Sequence, residues 1–290
     1  AHLDIVQSLA FSPKEGLLAS GGYRTVKLWR RSPNARLAEA DIGATPGEWA
    51  MNADGRWVAS GEASGAIRVL DLAGEYEVRQ FQGHHGPVTA LAFSDDRRLL
   101  VSAAPDKTIR IWNLENGHQV AGFRVAATVH SMDLIHQGSQ LVTVEGDHVI
   151  RVWAIPELAT RIDTEDPGVA SDDNSAPDLE VSSATPVREF GGHEGEITAV
   201  QRFPGRPGHL VSSSLDGTLR IWDADQGLQL QKFDAGSPIT ALAVRPDGTR
   251  LVGVTREHGV KLWNTTDGQV VAELKGDQRI QAKIPELARG

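Results

Sequence analysis

The sequence predicts an all-β fold built from six copies of one small unit, and two observations support this. A segment of alternating apolar and basic residues that ends in Trp, or once in Leu, recurs six times, with ends 41 or 42 residues apart except for one interval of 69. The six segments are Val26–Trp29, Ile67–Leu70, Ile109–Trp112, Ile150–Trp153, Leu219–Trp222 and Val260–Trp263. A short apolar stretch closes 18 or 19 residues before each end, so the copies are in phase.

Within a unit the apolar residues are typical of strands. Val88–Phe93 and Leu99–Ser102 are short β-branched and apolar runs that stop at turn residues. Asp-Gly pairs at 54–55, 216–217 and 247–248 indicate tight turns, in which Gly takes a positive φ. The pattern of runs and turns therefore predicts four short antiparallel strands in each unit. One such sheet leaves both faces in water, whereas sheets stacked around an axis bury them, with the Trp at the end of the third strand filling the gap.

The interval of 69 contains an acidic stretch, residues 155–184, which holds eight acids and one base. We interpret it as a flexible insertion in a loop that follows a third strand, at the end of the stacked sheets opposite the turns between second and third strands. A calcium site would draw on Asp163, Asp166, Asp172 and Asp173. Their spacing does not match a calcium-binding loop, so a solvated loop is favoured.

Composition excludes several classes of protein. The chain has 290 residues and no Cys, so disulfides and zinc sites built on thiolates are excluded. It has no apolar run near the 20 residues that span a membrane, and no visible signal peptide, which favours a cytoplasmic location. The net charge is −9, most of it in the acidic stretch, and no basic cluster is present. We therefore expect neither a nucleic-acid nor a membrane partner.

Short motifs then point to a family. Units open with Gly83-His84 and Gly192-His193, and one closes with Trp222-Asp223, with Trp112-Asn113 a near copy. With these motifs the sequence resembles the WD-repeat β-propeller family, in its bacterial form, over nearly the whole chain. The resemblance implies four-stranded antiparallel blades arranged as a propeller, over residues 1–274.

The resemblance also implies a buried network in some blades. Two units carry all of its members: His84, Ser102, Asp106 and Trp112, then His193, Ser212, Asp216 and Trp222. A buried Asp is tolerated only where donors surround it, and His and Ser supply them. The resemblance implies a structural rather than a catalytic role for these residues, and the sequence has no Gly-x-Ser-x-Gly nucleophile turn that would support a hydrolase.

Two ring sizes are open. Six blades are favoured, with the two ends of the chain jointly completing one blade and removing free sheet edges. The alternative is a seven-bladed ring with one unit outside this chain. The tail, residues 275–290, has apolar residues at helical spacing interrupted by Pro285, and is predicted to be a strap on the ring or a lead into another domain. We expect a monomer or part of a larger multidomain chain.

The predicted function is a non-catalytic scaffold that binds a protein or peptide on a rigid annular surface, without a cofactor. The candidate residues, in loops at one end of the ring, are Tyr23, Arg24, Lys107, His148, Leu215 and Arg256. One alternative is an enzyme with a metal in the central channel, for which His130 is the one plausible ligand on the inner strands. Another is a purely architectural domain.

A basic residue also lies two positions before the end of each unit. We expect the aliphatic part of its side chain to pack along the blade.

Overall fold

The protein forms six small antiparallel sheets, which confirms the predicted all-β class. The computed structural model describes residues 8–11, 17–22, 25–30, 35–41, 48–52, 55–72, 78–94, 99–155, 182–257 and 259–274, with side chains from Glu48 onward except those of Val78, Ser182, Ser183 and Leu274. Within these ranges the one helical element is a 3-10 turn at His136–Gly138. No described helix has the length and apolar character needed to cross a bilayer.

Each sheet is built on four antiparallel strands that follow one another along the chain, and a short fifth strand from residues 182–183 joins the third sheet; we number the sheets first to sixth in chain order. The first three contain β1 Ser8–Phe11, β2 Leu17–Gly22, β3 Thr25–Arg30 and β4 Ala35–Asp41; β5 Trp49–Met51, β6 Trp57–Gly61, β7 Ile67–Asp71 and β8 Val78–Phe81; β9 Ala90–Phe93, β10 Leu99–Ala103, β11 Thr108–Asn113 and β12 Gln119–Arg124. The last three contain β13 Ser131–Ile135, β14 Gln140–Val144, β15 Val149–Ala154 and β17 Arg188–Gly191; β18 Ile197–Arg202, β19 His209–Ser214, β20 Thr218–Asp223 and β21 Leu228–Asp234; β22 Ile239–Val244, β23 Arg250–Thr255, β24 Val260–Asn264 and β25 Val270–Leu274.

The first strand of each sheet is its inner strand. The inner strands β1, β5, β9, β13, β18 and β22 lie next to one another in that order, so the sheets stack side by side along an arc. Gly217 and Gly248 have φ values of 83° and 69°, which confirms the turns predicted from their Asp-Gly pairs.

The interfaces between described sheets are filled by a repeated aromatic pair. The Trp that is the last residue but one of a third strand is buried against the preceding sheet, where it meets a Phe from that sheet's fourth strand. The ring centroids lie 5.3–6.4 Å apart in the four pairs Phe81–Trp112, Phe123–Trp153, Phe190–Trp222 and Phe233–Trp263. The Trp was predicted to fill the gap between units; its Phe partner was not. Each pair lies at the centre of an apolar cluster shared by two neighbouring sheets.

The acidic stretch was predicted to be a loop as far as residue 184, and that prediction is wrong at its C-terminal end. A short strand, β16 Ser182–Ser183, pairs in parallel with Phe123 and Arg124 on the outer edge of the third sheet. Ala184 packs against the apolar cluster between the third and fourth sheets. This end of the stretch is therefore part of the sheet system. The four Asp residues weighed as calcium ligands lie outside the described residues.

The prediction that the two chain ends complete one blade together is also wrong for the described strands. The sixth sheet draws all four strands from Ile239–Leu274, and the first sheet draws its four from Ser8–Asp41. A four-strand unit can form all its ladder hydrogen bonds locally, so no strand from the other end is needed to complete it. The tail, residues 275–290, lies outside the described residues.

The aromatic interfaces predict a graded loss of stability. Phe81 is 2% exposed, whereas Phe190 occupies the equivalent place but is only half-buried. We expect Phe81→Ala to lower the free energy of unfolding by about 3–5 kcal/mol, as for other buried aromatic residues, and Phe190→Ala to lower it by less. Denaturant unfolding of both variants measures this. Equal losses would show that the stability contributed by the Phe side chain does not depend on how completely its aromatic ring is buried.

Candidate functional site: a buried polar network and the turns it holds

The fifth sheet brings four polar and aromatic side chains into one hydrogen-bonded chain. His193 Nε2 lies 2.7 Å from Ser212 Oγ, and its Nδ1 lies 2.9 Å from Asp216 Oδ2. The indole N–H of Trp222 donates to the same Ser212 oxygen at 2.7 Å. His193, Ser212 and Trp222 are buried, so each of these polar groups has its partner inside the protein.

The third sheet repeats this arrangement. His84 Nε2 lies 2.8 Å from Ser102 Oγ, its Nδ1 lies 3.1 Å from Asp106 Oδ2, and Trp112 Nε1 donates to Ser102 at 2.8 Å. The eight residues named from the sequence thus form two sets with the same contacts. A Thr two residues after each Asp also takes part, which sequence reasoning missed. Thr108 Oγ1 donates to Asp106, and Thr218 Oγ1 donates to Asp216, both at 2.7 Å.

The glycine that precedes each network His is required by close packing. A Cβ on Gly83 would lie 2.6 Å from a guanidinium nitrogen of Arg110 and 3.0 Å from the Trp112 ring. A Cβ on Gly192 would lie 3.0 Å from a guanidinium nitrogen of Arg220. These distances are shorter than ordinary van der Waals contact, so the Gly-His pair lets the His approach the Trp while an Arg lies over the backbone.

The network ties the turn after each second strand to the loop before the same sheet. Asp216 accepts from the backbone N–H of Glu194 at 3.0 Å and from that of Thr218 at 2.8 Å. Asp106 accepts from His85 N and Thr108 N, each at 2.9 Å. Because one carboxylate bonds both loops, the two cannot move independently.

Both network carboxylates are held in their ionised form. Burial raises the pKa of Asp216, but hydrogen bonds from Thr218, His193 and the Glu194 amide outweigh it and hold the pKa well below the usual range. Burial likewise raises the pKa of Asp106, and donors led by His84 outweigh it in the same way. Burial lowers the pKa of His193, and the hydrogen bond to Asp216 only partly opposes it.

The fourth sheet has no His at the network position, and a buried acid takes its place. Trp153 Nε1 donates to Thr143 Oγ1 at 2.8 Å, and that hydroxyl lies 3.4 Å from Glu145 Oε1. Glu145 also accepts from Ala127 N at 3.2 Å and lies 3.8 Å from the Arg151 guanidinium. Burial raises its pKa, although Arg151 partly opposes the shift. Sequence reasoning did not assign Glu145 to the network; the signal was an acid two residues after Thr143, where the third sheet has Ala104.

The basic residues near the ends of the units lie within their sheets and bond there. Arg110 donates to Gln119 at 2.6 Å, and Arg220 donates to Gln229 at 2.7 Å. Arg151 bonds Asp147 and Glu189, Arg68 pairs with Glu62, and Lys261 donates to the carbonyl of Ala235. These five side chains are used in packing, as expected from the sequence, and do not form a free ring of charge. The side chain of Lys27 lies outside the described residues.

The predicted surface residues that the structure describes lie on the turns between second and third strands. Lys107, His148 and Arg256 are exposed, and Leu215 is half-buried. Lys107 has a φ of 61°, a left-handed conformation that the neighbouring Asp106 contacts maintain. These turns share one end of the stacked sheets. Tyr23 and Arg24 lie outside the described residues.

His130, considered as a metal ligand, is exposed on the loop that enters the fourth sheet. Its Nε2 would lie 2.8 Å from a Cβ on Gly146, and Glu196 Oε1 would lie 3.9 Å from the same point. The loops that carry His130 and Glu196 therefore adjoin the β14–β15 turn. In the part of the chain that the structure describes, no three His, Asp or Glu side chains converge as a metal site.

Comparison with known proteins gives one family. The WD40 family model, described as WD domain, G-beta repeat, matches residues 1–30, 75–113 and 184–223. Transcription initiation factor TFIID subunit 5 of Caenorhabditis elegans is 30% identical over 242 residues, which are 75% of this chain and 36% of that protein. Periodic tryptophan protein 2 of Arabidopsis thaliana is 25% identical over 79% of this chain and 28% of its own length.

A third relative, the ribosome biogenesis protein WDR12 homolog of Ixodes scapularis, is 25% identical over 77% of this chain and 55% of its own length. The matched region thus spans between about a quarter and little more than half of these relatives. All three come from eukaryotes, so they give no support to the bacterial form suggested by the sequence.

The shared Ser oxygen predicts a large effect of a small change. Ser212→Ala removes the acceptor of Trp222 and the partner of His193 inside the protein, and each buried group left without a partner costs about 1–3 kcal/mol. Ser237 is a matched control, because its buried hydroxyl has no hydrogen-bond partner among the residues that the structure describes. We expect denaturant unfolding to show a loss of about 2 kcal/mol or more for Ser212→Ala and little change for Ser237→Ala. Similar values for both would contradict this account of the network.

The lowered pKa of His193 predicts acid sensitivity. The unfolded chain binds a proton near the ordinary His value of 6.5, whereas the folded protein resists it, so stability falls as the pH drops below that value. We expect His193→Gln to be less stable than wild type at pH 7 but to lose less further stability between pH 7 and pH 5. Thermal unfolding at both pH values tests this, with the exposed His118→Gln as control. An unchanged pH loss in His193→Gln would contradict the assignment.

Proposed function

We propose that this chain, a member of the WD40-repeat family, is a non-catalytic scaffold that binds a protein or peptide at the end of the stacked sheets where the second strands turn into the third. The exposed tips at this end include Lys107, His148 and Arg256, with the half-buried Leu215 among them. We call this end of the stacked sheets the partner surface.

The observation that carries the proposal is the anchoring of two of these tips, Lys107 and Leu215, by part-buried carboxylates. Asp106 lies next to Lys107 in the chain and receives bonds from His84, the His85 amide and Thr108. Asp216 does the same next to Leu215. A loop already held in one conformation loses little entropy on binding, so a modest number of contacts gives a specific complex.

The chemistry of the tips suits a protein partner. Two bases, an imidazole and an apolar side chain are presented on separate turns, and this spread over several sheets fits an extended contact better than a closed small-molecule pocket. The names of the relatives agree, because one is a subunit of a transcription initiation factor and another is a ribosome biogenesis protein. We therefore expect this chain to work within a protein assembly.

A test of the partner surface combines charge reversal with affinity capture. We expect the double variant Lys107→Glu, Arg256→Glu to reduce the amount of a co-purifying protein by about tenfold or more. The new carboxylates would repel the acidic groups of the partner that pair with Lys107 and Arg256. Arg206→Glu is the control, since Arg206 is exposed on the β18–β19 connection at the opposite end. Capture from native lysate followed by mass spectrometry measures the loss. A partner retained equally by all variants would remove the surface assignment, and no specific partner at all would favour a purely architectural domain.

A further inference from the structure

The outer strands of three neighbouring sheets carry apolar side chains that water reaches. In the part of the chain that the structure describes, the exposed large apolar side chains are five, and each is 49–56% exposed. All lie on, or directly before, the outer strands of the fourth, fifth and sixth sheets: Val187, Leu228, Leu230, Val270 and Val271. We call these five residues the outer band. Single apolar residues scattered over a surface need no explanation, whereas a cluster of them marks an interaction site.

The local backbone does not by itself account for this exposure. In β21 the residues on either side of Leu230 pair with β20, and Leu230 is left unpaired as a β-bulge. Val271 is the equivalent bulge residue of β25. A bulge re-aims its side chain relative to the regular pleat. The same bulge in the third sheet holds Val120, which is half-buried and packs against the apolar cluster between sheets. The bulge is therefore compatible with burial, and the exposure of Leu230 and Val271 belongs to the fifth and sixth sheets.

The outer band is continuous across the three sheets. The turn that leads into β21 lies against the fourth sheet, because a Cβ on Gly227 would be 3.5 Å from the Arg188 side chain. The turn that leads into β25 lies against the fifth sheet, because a Cβ on Gly268 would be 3.2 Å from Gln231 Nε2. Each outer strand is thus in van der Waals contact with the next. The fifth sheet, at the centre of the outer band, has a described neighbour on both sides.

The charges around the outer band are mainly acidic. Asp225 and Asp267 lie on the turns that lead into β21 and β25, and both are exposed. Asp225 bonds His136 Nε2 at 2.8 Å, and its side chain is still 56% exposed. On β17, β21, β25 and these two turns, the exposed acids are Glu189, Asp225, Asp234, Asp267 and Glu273, and the exposed bases are Arg188 and Lys232. Complementary charge selects a partner, so a partner of the outer band needs bases beside its apolar side chains.

The third sheet shows how an extended segment binds to an outer strand of this protein. β16 pairs in parallel with the outer edge of β12, which is the strand equivalent to β21. In the fifth sheet β21 is the last strand, and no described strand pairs with its outer edge. The backbone groups of that edge are therefore placed to pair with an added strand, a common mode of peptide recognition.

We propose that the outer band binds an extended segment of a partner protein, which carries large apolar and basic side chains and adds to the fifth sheet along β21. Its apolar side chains cover Leu228, Leu230 and Val270, and its bases face Asp225 and Asp267. A membrane fits less well, because anionic headgroups would meet the same acids. The site lies on the outer wall, near the turns between third and fourth strands. The partner surface lies at the opposite end of the sheets, so the two proposals stand or fall separately.

Peptide binding tests the chemistry of the partner. The probes are three short synthetic peptides of equal length, with alternating Leu and Lys, alternating Leu and Glu, or alternating Ser and Lys, each carrying a fluorophore. We expect fluorescence anisotropy to show that the 290-residue chain binds the Leu–Lys peptide at least about tenfold more tightly than the other two, because it alone has both apolar and basic side chains. No binding of the Leu–Lys peptide, or equal binding of either other peptide, would overturn the proposal.

Two double variants locate the bound peptide. Leu228→Gln with Leu230→Gln removes the apolar side chains of β21, and we expect at least about tenfold weaker binding of the Leu–Lys peptide. Both side chains are half exposed, so we expect the thermal midpoint to change little. Asp225→Asn with Asp267→Asn is also expected to weaken binding. The control is Glu115→Gln, because Glu115 is the exposed acid of the equivalent turn in the third sheet. Binding that the Leu→Gln variant retains, or that Glu115→Gln weakens equally, would overturn the proposal.

Thiol labelling shows whether the outer band is free, and the absence of Cys from the chain makes the measurement direct. Leu230→Cys is compared with Ala235→Cys, a small change at a buried position directly after β21. We expect a thiol reagent to label Leu230→Cys more than about tenfold faster, and the Leu–Lys peptide to slow that labelling, because a covered thiol reacts only after opening.

Four results of the labelling experiment would overturn the proposal. Slow labelling of Leu230→Cys in a monomer would show that another part of the chain covers the outer band. Slow labelling only at high concentration, with a dimer in light scattering, would assign the outer band to a second copy. Labelling unchanged by the bound peptide would place the peptide elsewhere. Protection by vesicles of phosphatidylcholine and phosphatidylserine, but not by the peptide, would assign the outer band to a membrane.

Discussion

The structure depends on one constraint: a four-stranded sheet of this size has two apolar faces and buries neither by itself. Burial comes from stacking, and at the four interfaces whose side chains are described the stacking is made by the same Trp and Phe pair. The Trp lies at the last residue but one of the third strand and crosses to the preceding sheet, so each unit stabilises its neighbour as much as itself. Stability is then a sum of unit and interface terms, as in other repeat proteins.

The polar network belongs to the same design. The indole rings of Trp112 and Trp222 are buried because they fill a large apolar area between sheets. Burial removes water from the indole N–H, which then needs a hydrogen-bond acceptor inside the protein. Ser102 and Ser212 accept the hydrogen bond from that N–H. The same hydroxyl groups bond Nε2 of His84 and His193, and an ionised Asp bonds the other ring nitrogen of each His at the edge of the sheet. The chain of bonds thus runs from the apolar interface out to the turns. The hydrogen bonds that satisfy the buried Trp N–H therefore also fix the turns that carry Lys107 and Leu215.

The fourth sheet shows that the buried Trp N–H needs a hydrogen-bond acceptor with a polar partner of its own, and that these need not be Ser and His. Its Trp153 needs the same acceptor and finds it in Thr143, while the place of the His is taken by a carboxylate, Glu145, with Arg151 beside it. An acid buried in this way has a raised pKa, whereas Asp106 and Asp216 are kept ionised by several donors. The two solutions satisfy the same buried groups with opposite effects on the pKa of the acid.

The sequence by itself determined the unit, its period, its strands and the identity of the His, Ser, Asp and Trp residues, because a repeat of 41 or 42 residues and alternating apolar side chains are local properties of a chain. Only the tertiary structure decided which residues meet between units. Phe81 and Trp112 are 31 positions apart, Glu145 replaces a His that is absent from its unit, and Ser182 pairs with Phe123 across the acidic stretch. The partial exposure of Val252, Val260 and Leu262 in the sixth sheet was equally beyond the sequence, since the buried Val211, Leu219 and Ile221 of the fifth sheet have the same chemistry. Burial depends on whether another sheet lies against a face, and no local pattern records that.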